Sequence, residues 1–138
     1  MIGVVLVSHG TLARALLETA AEIVGPFPNA EALEVTRKEP IEEVRARIRA
    51  ALQRRDQGQG VLVVADMFGG TAANVSLEFV GKHRLEVVTG ANLPMLLKLS
   101  GEVQRAHDLL GLAQLLKFYG QKNVVVASEV LKEREIDA

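Results

Sequence analysis

The sequence predicts a single α/β domain built around an open parallel sheet, and two observations carry this prediction. Short apolar runs of strand length alternate with segments whose apolar residues recur at helical spacing, in strict β-α order from residue 2 to residue 89. The chain has 138 residues, of which 49% are apolar and 24% charged. This length suits one hydrophobic core and is too short for two domains that each have a stable core. We therefore expect one domain over residues 1–138, with four parallel strands in the order 2-1-3-4 and helices on both faces.

The first half of the chain supplies two strands and two helices. The unbroken apolar run 2–7 predicts the first strand, and the helical spacing over Leu12–Val24 predicts a helix that Gly25-Pro26 ends. Residues 32–36 predict a short second strand. The apolar stripe within residues 41–52 lies among Glu and Arg residues, which is typical of a helix with one solvated face.

The second half continues the alternation with two more strands. The run 61–65 predicts a third strand, Thr71 begins a helix, and residues 84–89 predict the fourth strand. Pro94 falls where it would occupy the first turn of a short helix, a position that suits proline.

The C-terminal segment is less regular. Residues 103–119 have a helical pattern that is apolar nearly all the way round, so this helix should be buried on every side, and one cover would be a second subunit. Residues 123–127, Asn-Val-Val-Val-Ala, predict a fifth strand, and the charged tail over 132–138 is expected to fray.

Composition excludes several classes of function. The formal charge is −1 and no Lys/Arg run could track a phosphate backbone, so no nucleic-acid partner is expected. No apolar stretch approaches the roughly 20 residues of a membrane span, and the first strand lacks the basic flank of a secretory signal. Cysteine is absent, which excludes disulfides and thiolate metal sites. We expect a cytoplasmic protein with no cofactor and no metal.

Two chemically active residues fall at neighbouring strand ends. His9 follows the first strand and Asp66 follows the third, and the order 2-1-3-4 switches direction between these two strands. Ligand sites of open parallel sheets lie at such a switch point. One neutral imidazole nitrogen of His9 could attack a phosphoryl group while Asp66 accepts the N–H of the other nitrogen, which fixes the tautomer and stabilises the imidazolium.

The segment after Asp66 suits the binding of a phosphoryl group. A helix N-terminus offers unpaired N–H groups, and Gly69 and Gly70 let the backbone approach closely. The Thr71 hydroxyl could either cap its helix or donate to a phosphoryl oxygen. His83 is expected at the surface and His107 in solvent or at a subunit contact, so neither is assigned to catalysis.

Three motifs resemble those of one protein family. They are Val7-Ser8-His9-Gly10, the stretch Asp66–Asn74 that is similar to D-x-[FW]-G-G-[ST]-P-x-N, and Gly90–Leu96 that is similar to G-x-N-[IL]-P-M-[IL]. In this order and spacing the chain resembles, over nearly all its length, an EIIA component of the mannose family of the bacterial phosphoenolpyruvate-dependent sugar phosphotransferase system. Ala72 stands where that family usually has proline, which could loosen the loop slightly without removing any hydrogen-bond donor.

The resemblance implies a phosphocarrier. His9 would accept a phosphoryl group from the phosphocarrier protein HPr and pass it to an EIIB component, with Asp66 as its partner and Gly69, Gly70 and Thr71 around the phosphoryl group. It also implies a homodimer in which the last strand, over 124–127, is exchanged as an antiparallel edge. Contact with the membrane permease would be made only through partners, and sugar specificity would lie in the membrane components.

Other functions were weighed against this one. A response-regulator receiver domain needs an acidic pair after the first strand, where this chain has Ser8-His9. A histidine phosphatase needs an Arg before its His and further Arg and His residues in the pocket. Two alternatives stay open: phosphotransfer to a dihydroxyacetone kinase, or a regulatory phosphoprotein without a transporter. The chain ends soon after the fifth strand, so we expect no fused EIIB domain and a separate partner.

Overall fold

A computed structural model describes the backbone of residues 1–137 and the side chains of residues 1–135. Strands and helices alternate over residues 3–88, as predicted, and helices alone follow. Residue 138 of the expected domain lies outside the described residues. The ten elements are β1 (Gly3–His9), α1 (Leu12–Val24), β2 (Ala30–Val35), α2 (Ile41–Arg55), β3 (Val61–Ala65), α3 (Thr71–Leu77), β4 (Leu85–Val88), α4 (Leu93–Glu102), α5 (Leu109–Lys122) and α6 (Ala127–Asp137).

The sheet has four parallel strands in the order β2-β1-β3-β4, so the predicted topology is confirmed. β1 lies between β2 and β3, with His9 opposite Val35 of β2 and Val7 opposite Ala65 of β3. This register places Asp66, the residue after β3, on one side of His9. The loop that follows β2 begins on the other side. His9 is therefore flanked by two loops at the carboxyl edge of the sheet.

The core has two layers because successive residues of a buried strand point to opposite faces. Val4 and Leu6 of β1 face a cluster formed with α1, α4 and α5, while Val5 and Val7 face a cluster formed with α2 and α3. Helices thus cover both faces, as predicted. Full burial of one such aliphatic side chain stabilises the fold by about 1.5–3 kcal/mol, so the two layers hold β1 firmly in place.

The Gly90–Leu96 motif has a structural role. Asn92 Oδ1 accepts from the Met95 N–H (3.0 Å) and caps α4, while Asn92 Nδ2 donates to the Gly120 carbonyl at the end of α5 (3.3 Å). The Ala91 N–H donates to the carbonyl of Ala65, the last residue of β3 (3.1 Å). Pro94 lies in the first turn of α4, as predicted. The motif therefore joins the end of β3 to α4 and α5.

The predicted fifth strand is wrong for the single chain. Val124, Val125 and Val126 pair with no strand in the described residues and are 78%, 62% and 57% exposed, and α6 begins at Ala127. Valine favours a strand only where another strand can pair with it and a surface can pack against it. The described residues provide neither to this exposed segment. The following residues are mostly good helix formers. Residues 132–137, for which we expected fraying, have helical backbone in α6.

The helix expected over 103–119 begins later and is not buried all round. A turn follows α4, and α5 covers Leu109–Lys122. Leu112 and Leu116 face the core, whereas Leu110 and Phe118 are 50% and 60% exposed. The all-round apolar pattern thus leaves one face of α5 uncovered in the single chain. No helix in the described part of the chain combines the length and the apolar character needed to cross a membrane.

Candidate active site

His9 and Asp66 are in direct contact at the carboxyl edge of the sheet. His9 Nδ1 lies 2.7 Å from Asp66 Oδ2, and the His9 backbone N–H donates to the same oxygen at 3.0 Å. The Met67 N–H donates to Asp66 Oδ1 at 2.9 Å. The Asp66 side chain is 11% exposed and the His9 side chain 49%. A carboxylate that is nearly buried therefore orients an imidazole that a second protein can reach.

The protonation state of this pair follows from its hydrogen bonds. Burial raises the pKa of the Asp66 carboxyl, but the bonds from the His9 backbone, the His9 ring and the Met67 backbone outweigh burial and hold that pKa below its usual range. Asp66 is therefore ionised at neutral pH and can only accept. The ring proton of neutral His9 must then be on Nδ1, which leaves the lone pair on Nε2. Among the atoms that the structure describes, none hydrogen-bonds to Nε2.

The glycine turn packs directly against the imidazole. A Cβ on Gly70 would lie 2.8 Å from His9 Cε1 and 3.2 Å from Met67 Cγ, so only glycine fits this approach. Gly69 has φ +87°, a conformation that glycine adopts without strain. Asn74 Nδ2 donates to the Gly69 carbonyl at 3.2 Å and holds the turn from inside α3. The ring is thus confined between Asp66 and Gly70.

Thr71 and His9 line a common cleft of ≈ 480 Å³. Thr71 is the first helical residue of α3 and follows the N-cap Gly70. Within residues 1–135 the Thr71 hydroxyl makes no hydrogen bond, whereas Asn74 and Ser76 of the same helix do. Of the two roles considered for this hydroxyl, the cap is therefore not seen. In the described residues, the backbone N–H groups of Gly69, Gly70 and Thr71 also donate to no protein acceptor. The site offers a nucleophilic nitrogen next to several unused neutral donors. Ala72, at the position of the family proline, is fully buried in α3.

Sequence reasoning did not assign roles to two residues that shape this site. Ser8 is buried, and its Oγ accepts from the Ala13 N–H at 2.6 Å, so it satisfies a donor in the first turn of α1. Asn74 holds the glycine turn, as described above. Two sequence signals could have identified these residues. Ser8 is a polar residue near the end of an otherwise apolar strand, and Asn74 is an amide one turn into a helix.

The other two histidines lie at the opposite end of the sheet. His83 and His107 line a cleft of ≈ 460 Å³ together with Gln59 and Leu85, the first residue of β4. His83 packs edge-on against Phe79 with a centroid distance of 5.7 Å, and His107 Nδ1 lies 3.2 Å from Gln59 Nε2. Neither belongs to the His9 site. Among the side chains of residues 1–135, no three His, Asp or Glu groups gather in a way that could hold a metal ion.

Comparison with known proteins places this geometry in a family. The family model EIIA-man, described as PTS system fructose IIA component, matches residues 3–112. The PTS system fructose-specific EIIA component of Bacillus subtilis (strain 168) is 32% identical over 137 residues, which are 96% of this chain and 91% of that protein. The PTS system sorbose-specific EIIA component of Lacticaseibacillus casei is 34% identical over 98 residues, 70% of each chain.

Solved structures agree with the sequence relatives. The mannose/sorbose specific IIA subunit of the phosphotransferase system from Enterococcus faecalis is 31% identical to this chain. The two superpose with a TM-score of 0.81, over 91% of this chain and 93% of that one. The resemblance drawn from the three motifs is therefore confirmed over most of the chain. The chain belongs to the mannose, fructose and sorbose family of EIIA components of the phosphotransferase system.

Proposed function

We propose that His9 is the residue that carries the phosphoryl group, accepting it from phospho-HPr and passing it to an EIIB component for sugar uptake. The family membership makes the chain a phosphotransferase-system phosphocarrier. The observation that carries the assignment to His9 is the 2.7 Å contact between its Nδ1 and an ionised Asp66, which leaves the Nε2 lone pair free. No feature of the described residues favours the dihydroxyacetone kinase or regulatory alternative. We propose that transfer takes place in the cytoplasm.

The chemistry needs no cofactor. In the forward step the bond between phosphorus and the donor's imidazole nitrogen breaks as a bond from phosphorus to His9 Nε2 forms. The Nδ1 proton stays on the ring, where Asp66 Oδ2 stabilises the positive charge that develops. The unused N–H groups of Gly69 and Gly70 and the Thr71 hydroxyl are available for the phosphoryl oxygens. Transfer to EIIB is the same step in reverse, with a different acceptor.

The surface around His9 suits protein partners. Large apolar side chains surround the site: Met67 and Phe68 follow Asp66 and are 54% and 73% exposed, and Leu12 and Ile41 are also exposed. Exposed apolar side chains in a rim of polar residues are typical of interaction sites. Docking of HPr or EIIB over this surface would cover these side chains and exclude water from the transfer step.

The first test is intact-protein mass spectrometry at neutral or alkaline pH after incubation with phosphoenolpyruvate, enzyme I and HPr. We expect wild type to gain one phosphoryl group and His9→Gln to gain none, because the variant lacks the nucleophilic nitrogen. His83→Gln and His107→Gln serve as controls and should be phosphorylated like wild type, since both residues lie at the far end of the sheet. Retained phosphorylation of His9→Gln would redirect the assignment to one of these histidines.

We also propose that two copies form a homodimer through β4 and the segment over 124–127. In the part of the chain that the structure describes, β4 pairs only with β3, so its outer edge is open. A groove of ≈ 350 Å³ follows this edge between β4 and α5. The exposed Val124–Val126 segment is the strand-forming sequence without a partner, and the open edge of a second copy would supply one. Strand exchange of this kind would also cover the exposed face of α5.

This proposal predicts that Val125→Glu weakens the dimer, because a carboxylate would be buried without a partner at the new strand edge. Analytical ultracentrifugation over a range of concentrations measures the effect. Ile23→Glu is the matched control, since Ile23 is 57% exposed at the end of α1, on a different element. A wild-type protein that is monomeric at all concentrations, or an equal effect of both variants, would contradict the exchange.

A further inference from the structure

The cleft that His9 and Thr71 share is completed by the loop that follows β2. Its lining residues are His9, Val35, Thr36, Arg37, Glu39, Ile41 and Thr71. This loop faces His9 from the side opposite to Asp66, because β1 lies between β2 and β3 in the sheet. The loop therefore meets the site from a direction that neither Asp66 nor the glycine turn occupies.

The two charged side chains that line this cleft with His9, Arg37 and Glu39, differ in whether they form an ion pair. Glu39 is held by Arg47, whose Nη1 lies 2.6 Å from Glu39 Oε1. Asp66 accepts from His9 and Met67. Arg37 is exposed and, among the side chains of residues 1–135, takes part in no hydrogen bond or ion pair. Among the lining side chains, Arg37 is thus a cation that forms no ion pair with any carboxylate of residues 1–135.

Phosphorylation of His9 brings a dianionic group to this place. The other donors near His9, namely the Thr71 hydroxyl and the backbone N–H groups of the glycine turn, are neutral. The transition state of phosphoryl transfer spreads negative charge over three oxygens, and its stabilisation is mainly electrostatic. A guanidinium can donate to two of these oxygens at once. The cleft lacks a cation for this purpose unless Arg37 provides it.

We propose that Arg37 is a phosphoryl-binding residue, whose guanidinium donates to the phosphoryl oxygens during transfer and in the phosphorylated protein. The proposal rests on the proposed role of His9. The bonds that form and break are those of the transfer described above, and Arg37 stays protonated throughout because it acts as a donor only.

The chain provides a matched control in the neighbouring residue. Lys38 carries the same charge and is also exposed, but it lines the adjoining shallow surface with Glu34, Glu43 and Arg47 and is not among the residues that line the His9 cleft. Arg37→Gln and Lys38→Gln therefore remove the same net charge from adjacent loop positions. Only the first removes a donor from the cleft of His9.

Two measurements on the full chain test the proposal. Single-turnover phosphorylation by phospho-HPr is measured in about 0.5 M salt, which screens long-range attraction between the proteins. We expect Arg37→Gln to lower the rate about tenfold to a hundredfold, Arg37→Lys to lower it less, and Lys38→Gln to leave it near wild type. The second measurement is a ³¹P NMR titration of the isolated phosphoproteins. Arg37→Gln should raise the pKa of the phosphoryl group, because the dianion loses a cation.

Each outcome decides the question. An Arg37→Gln rate equal to wild type, or an equal loss in Lys38→Gln, overturns the contact with the phosphoryl group. A slower Arg37→Gln whose phosphoryl pKa is unchanged also overturns it, because Arg37 would then contact the partner protein. If wild type is not phosphorylated at all, the proposed function itself is wrong. A difference between the variants bears only on the role of Arg37. Normal phosphorylation of wild type therefore distinguishes failure of the Arg37 proposal from failure of the proposed function.

Discussion

Asp66→Asn should slow phosphorylation of His9 by about 10²- to 10⁴-fold, the range expected when the orienting acceptor of a catalytic histidine is lost. The reason lies in the three N–H donors that meet the carboxylate. Oδ2 accepts the His9 backbone and ring N–H groups, and Oδ1 accepts the Met67 N–H. An amide has one acceptor oxygen, so its NH2 group must face a donor in either orientation.

The two orientations fail in different ways. With the amide oxygen toward Met67, the NH2 group faces the His9 ring, and the ring must move its proton to Nε2, where it blocks attack. With the oxygen toward His9, the tautomer survives, but the negative charge that stabilises the imidazolium is lost, and the Met67 N–H faces the amide NH2. Single-turnover kinetics measures the rate, and ¹⁵N NMR of the His9 ring reports which tautomer is present.

A second carboxylate provides the control. Asp56 Oδ1 also accepts two backbone N–H groups, from Gly58 at 2.8 Å and Gly60 at 3.2 Å, but it precedes β3 at the far end of the sheet. Asp56→Asn should leave the rate near wild type, while Asp66→Ala should slow transfer and leave the fold largely intact. An unchanged rate in Asp66→Asn would count against the pairing of His9 with Asp66 as part of the mechanism.

Gly70→Ala should have the next largest effect, about tenfold to a hundredfold on the transfer rate. The new Cβ would lie 2.8 Å from His9 Cε1, and the ring can escape only by turning away from Asp66. That movement breaks the 2.7 Å contact that holds the reactive tautomer. The rate is measured as for Asp66→Asn, and unfolding in denaturant shows whether the fold is retained.

Gly69→Ala separates backbone strain from displacement of the ring. Gly69 has φ +87°, and a Cβ there would meet no atom within 4 Å. We expect this variant to lose about 1 kcal/mol of unfolding free energy while its transfer rate stays close to wild type. A loss of rate in Gly69→Ala equal to that in Gly70→Ala would mean that the conformation of the turn, and not its approach to the imidazole, controls transfer.

Much of the site could be predicted because it depends on strand order. Alternation of strands and helices indicates a parallel sheet, and the switch between strands one and three brings His9 and Asp66 together without knowledge of any side-chain contact. The place of Arg37 in the cleft was not predictable in this way. It depends on the path of the loop after β2 and on Arg47 having already paired with Glu39. Such pairings follow from tertiary structure and not from local pattern.

The segment over 124–127 shows the complementary limit. Three consecutive valines predict a strand from propensity alone, yet a strand exists only where another strand can pair with it. The described residues offer no such edge next to Val125, and the segment is exposed before α6. The pattern on α5 was misleading for the same reason, because an apolar face indicates what must be covered and not which chain covers it.

The single available nitrogen of His9 has a kinetic consequence. In the proposed transfer, donor and acceptor proteins both reach Nε2 through the same exposed side of the ring, since Asp66 occupies the other nitrogen. The two partners are therefore expected to compete for the same binding surface and not to form a ternary complex. We therefore expect turnover to follow a ping-pong scheme in which dephosphorylated donor that is still bound inhibits the acceptor. The overall rate of phosphoryl transfer thus depends on how quickly each partner protein dissociates as well as on the rate of the transfer step.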